Sequence, residues 1–248
     1  MALNRDNIVK PNVAANLNAT RSNNLFVNVP DNASVRYRFL PTVHPEGIIW
    51  YPSANHFKLK EAAEEAGEQD RGIAVACNDI HGTGDCYLCR LNVTLKKFGD
   101  KQEKAIGKGI YANPRYNAQV LVGEMDAAGE VTYFGPRILG LPKGASEDVS
   151  QLIKTMDMMR QTSFLDVEKG QDVIITTTGS GLKKRYKIDR SGEPANLDEV
   201  YPTWEKVFIE DMEDALGLRK LTNEEMKAAA QYTFGDQLDW EELAEHGL

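Results

Sequence analysis

Only three cysteines and four histidines occur among the 248 residues. An odd number of thiols cannot form a fully paired disulfide framework, so a disulfide-stapled scaffold is excluded and a reducing compartment is expected. No apolar run reaches ten residues, too few for a membrane-spanning helix. The opening Met1-Ala2-Leu3-Asn4-Arg5-Asp6-Asn7 has no apolar stretch behind its charges, and no secretory signal is expected. There is no solenoid or propeller repeat, no P-loop and no nucleophile-elbow glycine motif. Gly107-Lys108-Gly109 and Gly179-Ser180-Gly181 read as short hairpin turns, and His44 and His246 as surface residues. Cations are in the minority too, 29 Lys and Arg against 37 Asp and Glu, for a net charge of −8.

That average hides a division. Residues 1–190 hold 25 Lys and Arg against 22 Asp and Glu, a net of +3, whereas residues 191–248 hold 4 against 15, a net of −11. Between residues 86 and 119 seven bases (Arg90, Lys96, Lys97, Lys101, Lys104, Lys108, Arg115) face two acids (Asp100, Glu103), and residues 183–190 form a second basic cluster. A mildly basic body with its own polyanionic end suits a protein that grips an anionic polymer.

Residues 1–24 are rich in Asn and read as a loose arm carrying Arg5, Lys10 and Arg21. Alternation over Ser34–Leu40 predicts a strand with Val35, Tyr37 and Phe39 facing the core and Arg36 and Arg38 facing outward. Strong helix formers predict a helix over 59–69, and glycines make the cysteine region 73–92 loop-like. Further strands are expected at 117–123 and 130–139, joined by a turn at Asp126–Gly129, and in a hairpin of 172–178 with 182–189. Helices are expected over 147–160 behind Ser146, over 203–216, and over 222–232 behind the capping box Thr222-x-x-Glu225. The whole reads as mainly β with inserted helices, a small barrel or α+β body.

All three cysteines lie between residues 77 and 89. Cys86-x-x-Cys89 lets two thiolates reach one ion from a tight turn, Cys77 supplies a third, and tetrahedral zinc then takes a fourth ligand, most often His. Two candidates compete, His81 inside the loop and His56 upstream. Four protein ligands make one structural zinc ion rather than a catalytic one. An alternative joins His44-Pro45-Glu46 to Cys86 and Cys89 as a zinc-dependent nucleoside or nucleotide deaminase. Against it, no Pro precedes Cys86 and Cys77 would be idle.

Binding unpaired nucleic acid requires cations for phosphates and flat rings for bases. Rings and bases interleave in Arg36-Tyr37-Arg38-Phe39, Phe57-Lys58-Leu59-Lys60, Tyr87-Leu88-Cys89-Arg90, Tyr111 through Tyr116, Tyr133 through Arg137, and Lys183-Lys184-Arg185-Tyr186-Lys187. The candidate nucleic-acid contacts are therefore Arg36, Arg38, Lys58, Lys60, Tyr87, Arg90, Lys108, Tyr111, Arg115, Tyr116, Tyr133, Arg137, Lys183, Lys184, Arg185 and Tyr186. Tyr111, Arg115 and Tyr116 lead, because an irregular segment is free of the strand rule that sends neighbours to opposite faces.

Val35-Arg36-Tyr37-Arg38-Phe39-Leu40-Pro41, Asn55-His56-Phe57-Lys58, the segment Cys77 through Cys89 and the strand Tyr116 to Val122 resemble, in that order, the T-even phage single-stranded DNA-binding protein family. The resemblance spans about residues 33–190 and implies an OB-fold barrel with an inserted zinc subdomain at about 50–100. It selects His56, in its Asn-His context, over His81 to complete Cys77, Cys86 and Cys89, and it makes Arg38, Tyr111, Arg115 and Tyr116 contacts to DNA. It divides the chain into an arm (1–24), the OB core (25–190), C-terminal helices (191–232) and an acidic tail (233–248) that recruits replication and recombination proteins. The family's basic N-terminal motif for self-association on DNA is not evident, Thr20-Arg21-Ser22 being a faint echo. The implied protein is not an enzyme: it coats single-stranded DNA during phage replication, recombination and repair, in the cytoplasm of an infected bacterium. A zinc-bearing adaptor that binds proteins through its helical C-terminus is a further alternative.

Overall fold

The computed structural model describes residues 25–41, 49–61, 70–81, 84–159 and 163–248. The arm with Arg5, Lys10 and Arg21, the Thr20-Arg21-Ser22 segment and the His44-Pro45-Glu46 motif lie outside the described residues. The chain divides into two compact units, Met1–Tyr51 with Tyr116–Ala215, and Pro52–Arg115 with Leu216–Leu248.

The first unit is built on a mixed sheet. Its strands are β1 (Phe26–Val27), β2 (Ser34–Phe39), β3 (Tyr51–Ser53), β6 (Arg115–Met125), β7 (Val131–Leu141), β8 (Gly170–Thr178) and β9 (Arg185–Ala195), paired in the order β1-β7-β6-β2-β8-β9 with β3 beside β6. The order ends at β1 and β9, so the sheet is open, and strand pairing does not close the barrel expected from the resemblance. The two-residue β1, parallel to β7, is too short to close it. The β6–β7 turn forms as the sequence indicates, with Asp126 Oδ1 accepting from the backbone N–H groups of Ala128 and Glu130 and Gly129 at φ +88°.

One face buries Tyr37, Phe39, Val120, Val173 and Ile175 against Val149 and Met156 of α4 (Lys143–Met158) and against Phe164. This helix starts at Lys143, ahead of the expected Ser146, because Pro142 already occupies the N-cap with its fixed φ. The other face buries Leu40 and Leu121 under Leu197, Trp204 and Phe208, carried by α5 (Leu197–Val200), α6 (Trp204–Val207) and the residue after it. The expected helix over 203–216 is thus broken into α6 and α7 (Met212–Leu216).

Because both faces are covered, the outward Arg38 of the sequence reading is wrong in one respect. The alternation holds, with Tyr37 and Phe39 on one side and Arg38 on the other, yet Arg38 is only 1% exposed. Its Nη2 donates to the carbonyls of Asp166 (3.1 Å) and Ala195 (2.8 Å). Burial pulls its pKa below the ordinary arginine value, opposed first by the charge of Asp172. Asp172 Oδ2 also accepts from Arg36 Nη1 at 3.1 Å and from the Tyr133 hydroxyl at 2.7 Å. Gly170 makes the room, since a Cβ there would lie 2.6 Å from Arg38 Nη2.

The second unit is a two-stranded sheet under helices. β4 (Asn55–Glu61) pairs with β5 (Arg71–Ala76), followed by α1 (Asn78–His81), α2 (Tyr87–Lys97), α3 (Lys101–Ile110), and, from the C-terminal part of the chain, α8 (Asn223–Phe234) and α9 (Trp240–Glu245). The helix expected to start at 59 is strand as far as Glu61, because cross-strand pairing with Arg71–Ile73 outweighs the helix propensity of Leu59, Lys60 and Glu61. The cysteine region, expected as loop, instead opens α2. Leu59, Val75, Leu88, Leu91, Leu95, Ile110, Met226, Ala230, Phe234 and Leu243 share one core. Both α3 and α8 begin in capping boxes, Asp100 with Glu103 and Thr222 with Glu225.

Arg38→Met is expected to lower the unfolding free energy by about 1–3 kcal/mol, since it leaves the carbonyls of Asp166 and Ala195 without their side-chain donor, while Asp172 keeps Arg36 and the Tyr133 hydroxyl. A urea midpoint equal to that of the parent chain would show that Arg38 does not hold the sheet unit together.

Candidate metal centre and the surface around it

Four ligand atoms converge in the second unit. His56 lies on β4 and is 0% exposed, Cys77 follows β5, Cys86 is the N-cap of α2, and Cys89 lies in that helix's first turn. The start of a helix favours thiolates, because unpaired backbone N–H groups and the helix dipole both present positive charge there. All four ligand atoms lie within 4.8 Å of one another. His56 Nε2 is 3.2 Å from Cys86 Sγ and 3.8 Å from Cys89 Sγ, and Cys77 Sγ is 3.4 Å from Cys89 Sγ. A tetrahedral ion bound at about 2.3 Å to sulfur needs sulfur–sulfur edges of about 3.8 Å, so small shifts would seat one ion among them. The cluster could hold a metal ion.

The ring of His56 is oriented from behind. Its Nδ1 donates to the carbonyl of Ile110 at 2.7 Å, which leaves Nε2 as the atom facing the sulfurs. Burial works against an imidazolium here, but hydrogen bonds to Cys77 and Cys86 and to the Ile110 carbonyl outweigh it and lift the pKa to about 10. Hydrogen bonding with Cys77 and Cys89 draws the Cys86 thiol far below its ordinary range, while Cys77, Cys86 and burial push Cys89 above its own. A metal ion entering this group would displace the protons shared among the thiols and the imidazole, because each must be deprotonated to ligate. His81 is engaged elsewhere, its Nε2 accepting the Ala54 N–H at 3.2 Å. Cys77, which the deaminase arrangement would leave idle, is a full member of the group, and the His44-Pro45-Glu46 half of that arrangement lies outside the described residues.

The C-terminal part of the chain seals this centre. Met226 Sδ lies 3.9 Å from Cys86 Sγ, Asn223 Oδ1 accepts the Tyr87 N–H at 2.9 Å, and Asn78 Nδ2 donates to the Leu221 carbonyl at 3.2 Å. Leu238 and Leu243 are buried, and His246 stacks on Phe98 with ring centroids 3.9 Å apart. Residues 233–248, read from sequence as an acidic tail, are thus folded onto the second unit by their apolar residues.

The sixteen sequence-derived contact candidates fall into three groups. Lys58, Lys60, Arg90, Lys108, Tyr111, Arg115, Lys183 and Arg185 are exposed. Arg36, Tyr116, Tyr133, Arg137, Lys184 and Tyr186 are half-buried. Of these, Arg36 and Tyr133 are committed to Asp172, Lys184 to Asp31 at 2.9 Å, and Arg137 to the Pro136 carbonyl at 3.2 Å. Arg38 and Tyr87 are buried, and Tyr87 at 4% exposure fills the core of the second unit, so neither presents itself to a ligand. The sequence reading placed Tyr87 in a loop, where a ring is free; on α2 it faces inward. Arg90 is paired with Asp85 at 2.6 Å.

The structure brings together what the linear sequence did not. Lys96 Nζ sits 4.6 Å over the Tyr111 ring, which is 44% exposed, and Lys97 Nζ lies 4.8 Å from the Phe98 ring. Phe57 is 52% exposed beside Lys58 and Lys60. Lys96, Phe57 and Phe98 were absent from the candidate list; the run of bases over 86–119 was the signal for Lys96, but only the helical form of α2 puts it over Tyr111.

Cys86→Ser, or a strong chelator where the cluster has been loaded with metal, is expected to raise hydrogen exchange in α8 together with α2, because Met226 and Asn223 pack on the turn that carries Cys86. Unchanged protection across 223–234 after metal loss would refute that coupling. Metal affinity is expected to weaken as pH falls, since protons compete for the same thiolates and imidazole. No family model matches the chain, and no curated protein matches it.

Proposed function

We propose that the chain is a single-stranded DNA-binding protein of the T-even phage kind, and that its four-ligand cluster holds one structural zinc. The observation that carries this reading is the surface attached to the metal centre. Ile110, whose carbonyl holds the ligand His56, is followed directly by the exposed ring of Tyr111 under Lys96, with the exposed Lys108 two residues before it. Rings for bases and ammonium groups for phosphates are what sequence-tolerant binding of an unpaired strand uses. Three thiolates and one imidazole match the donor set of closed structural zinc sites, in which the ion stabilises the fold and no coordination position is left for chemistry. Zinc here would clamp His56 to α3 and so shape the surface, and the protein would not be an enzyme.

The sheet unit fits an OB-type fold in this reading, since that fold is itself a partly open barrel. Coating DNA in phage replication, recombination and repair, in the cytoplasm of an infected bacterium, follows from the motif order. So does recruitment of replication or recombination proteins by the acidic C-terminal segment; self-association on DNA does not, because the basic N-terminal motif for it is not evident in the sequence. The acidic side chains of that segment, Glu241, Glu242 and Glu245, would compete with DNA for the lysines of the second unit.

The test is a titration of labelled oligothymidylate against duplex of equal length, over a range of salt. The single strand is expected to bind far more tightly, with log affinity falling about 0.7 per phosphate contacted for each unit of log salt. Tyr111→Ala is expected to weaken binding by about 1–3 kcal/mol and Tyr111→Phe to preserve it. Replacing Glu241, Glu242 and Glu245 by Gln is expected to tighten binding at low salt while leaving Leu238 and Leu243 in the core. Equal affinity for single strand and duplex, or a flat salt response, would refute the reading.

A further inference from the structure

We propose that Phe57 and Lys58 form a nucleotide contact, the ring stacking on an unpaired base and the ammonium group holding a neighbouring phosphate. The inference rests on the single-strand reading above and assigns to it a site built by a β-bulge. The register shows the bulge directly: His56 pairs with Val75 and Leu59 with Ile73, so three steps along β4 match two along β5. Strict alternation would turn Lys58 inward with His56 and leave Leu59 outside. The extra residue instead lets His56 and Leu59 both face in, each 1% exposed or less, and leaves Phe57 and Lys58 consecutive on the outside.

Placing the ligand His56 and the core residue Leu59 explains the bulge, but not the residues chosen to make it. Lys58 has φ +68°, a left-handed conformation that costs a non-glycine residue about 1–2 kcal/mol. Among the described residues the other non-glycine case is Asn32, a residue type that tolerates the region and whose Oδ1 accepts the Gly179 N–H. Glycine or asparagine would make the same turn at residue 58 without the strain. Phe57 beside it is a large apolar ring 52% exposed to water, one of several such residues among those described, and it is the one adjoining a left-handed lysine. A strained cation and a wet ring side by side lower the stability of the free protein, and together they make the pair of groups that one nucleotide engages.

The surroundings favour the same occupant. A Cβ at Gly109 would lie 3.6 Å from Lys58 Cγ, so the lysine stem runs along the end of α3. Phe57 follows His56, and Tyr111 follows Ile110, so the two exposed rings directly succeed the two ends of one 2.7 Å hydrogen bond. Lys96 lies over the Tyr111 ring, and Lys60 and Lys108 are exposed in the same unit.

The experiment measures oligothymidylate binding, urea midpoint and zinc content for Phe57→Leu, Phe57→Trp, Lys58→Gly and, as a charge control on α8, Lys227→Asn. Phe57→Leu is expected to weaken binding about tenfold at unchanged midpoint and zinc content, and Phe57→Trp to retain it. Lys58→Gly is expected to keep or raise the midpoint while weakening binding several-fold and flattening the salt slope by about 0.7; Lys227→Asn changes binding less. If the parent chain binds the oligonucleotide and Phe57→Leu and Lys58→Gly bind equally well, this site is wrong and the single-strand reading stands. If the parent chain does not bind, both fall. Loss of zinc in Lys58→Gly would leave Phe57→Leu to decide the matter.

Discussion

The second unit depends on one buried hydrogen bond, from His56 Nδ1 to the carbonyl of Ile110. It joins a strand to the end of a helix more than fifty residues later, and it fixes which ring nitrogen faces the three sulfurs. Much of what surrounds it follows as consequence. The bulge in β4 exists so that His56 and Leu59 can both point inward, and α3 ends where its last carbonyl is already taken. The C-terminal helix α8 closes the remaining side with Met226. A metal ion added to such a cluster contributes to folding directly, because neither the sulfurs nor the imidazole are gathered in an unfolded chain.

The sheet unit rests on a different solution to buried charge. Arg38 lies inside with two backbone carbonyls as hydrogen-bond partners, while Asp172 is shared by Arg36 and the Tyr133 hydroxyl. The arrangement leaves little slack: Asp172 Oδ1 and the Tyr37 hydroxyl are buried without a partner. A buried ion network of this kind adds little net stability over an apolar core, but loss of one member is costly. That is why residues which look, in sequence, like a basic stripe for a ligand are here part of the interior, and why the exposed cations of α2, α3 and β4 carry the functional reading instead.

The C-terminal segment changes meaning in the same way. Its charge alone marks it as a solvated polyanion, with a net of −11 beyond residue 190. Yet Met226, Ala230 and Phe234 recur every fourth residue along one side of α8, and they are buried in the second unit together with Leu238 and with Leu243 of α9. The acids beyond residue 216 therefore belong to α8, α9 and the turn between them, within the same unit as Lys96 and Lys97, and His246 stacks on Phe98 at the end of α2.

The three cysteines were legible because thiols at short spacing have few other uses, whereas spacing left His56 and His81 both open and only the resemblance chose His56; the strands at 34–39, 115–125, 131–141 and 170–178 were legible because alternation is a local property. The capping boxes and the Asp126 turn were local as well. What the linear chain concealed was everything set by distant partners. Whether Arg38 and Tyr87 meet water depends on the layers above them, a covering made by residues remote in sequence. Pairing with β5 turned the start of a helix-prone segment into strand, and one extra residue in that pairing brought Phe57 to the surface beside Lys58. Residue types and spacings thus determined which chemistry the protein can carry, since ligand softness and backbone period belong to the residues themselves. The fold alone decided which of the charged and aromatic side chains remain available to a partner, since burial is a property of the whole packed chain.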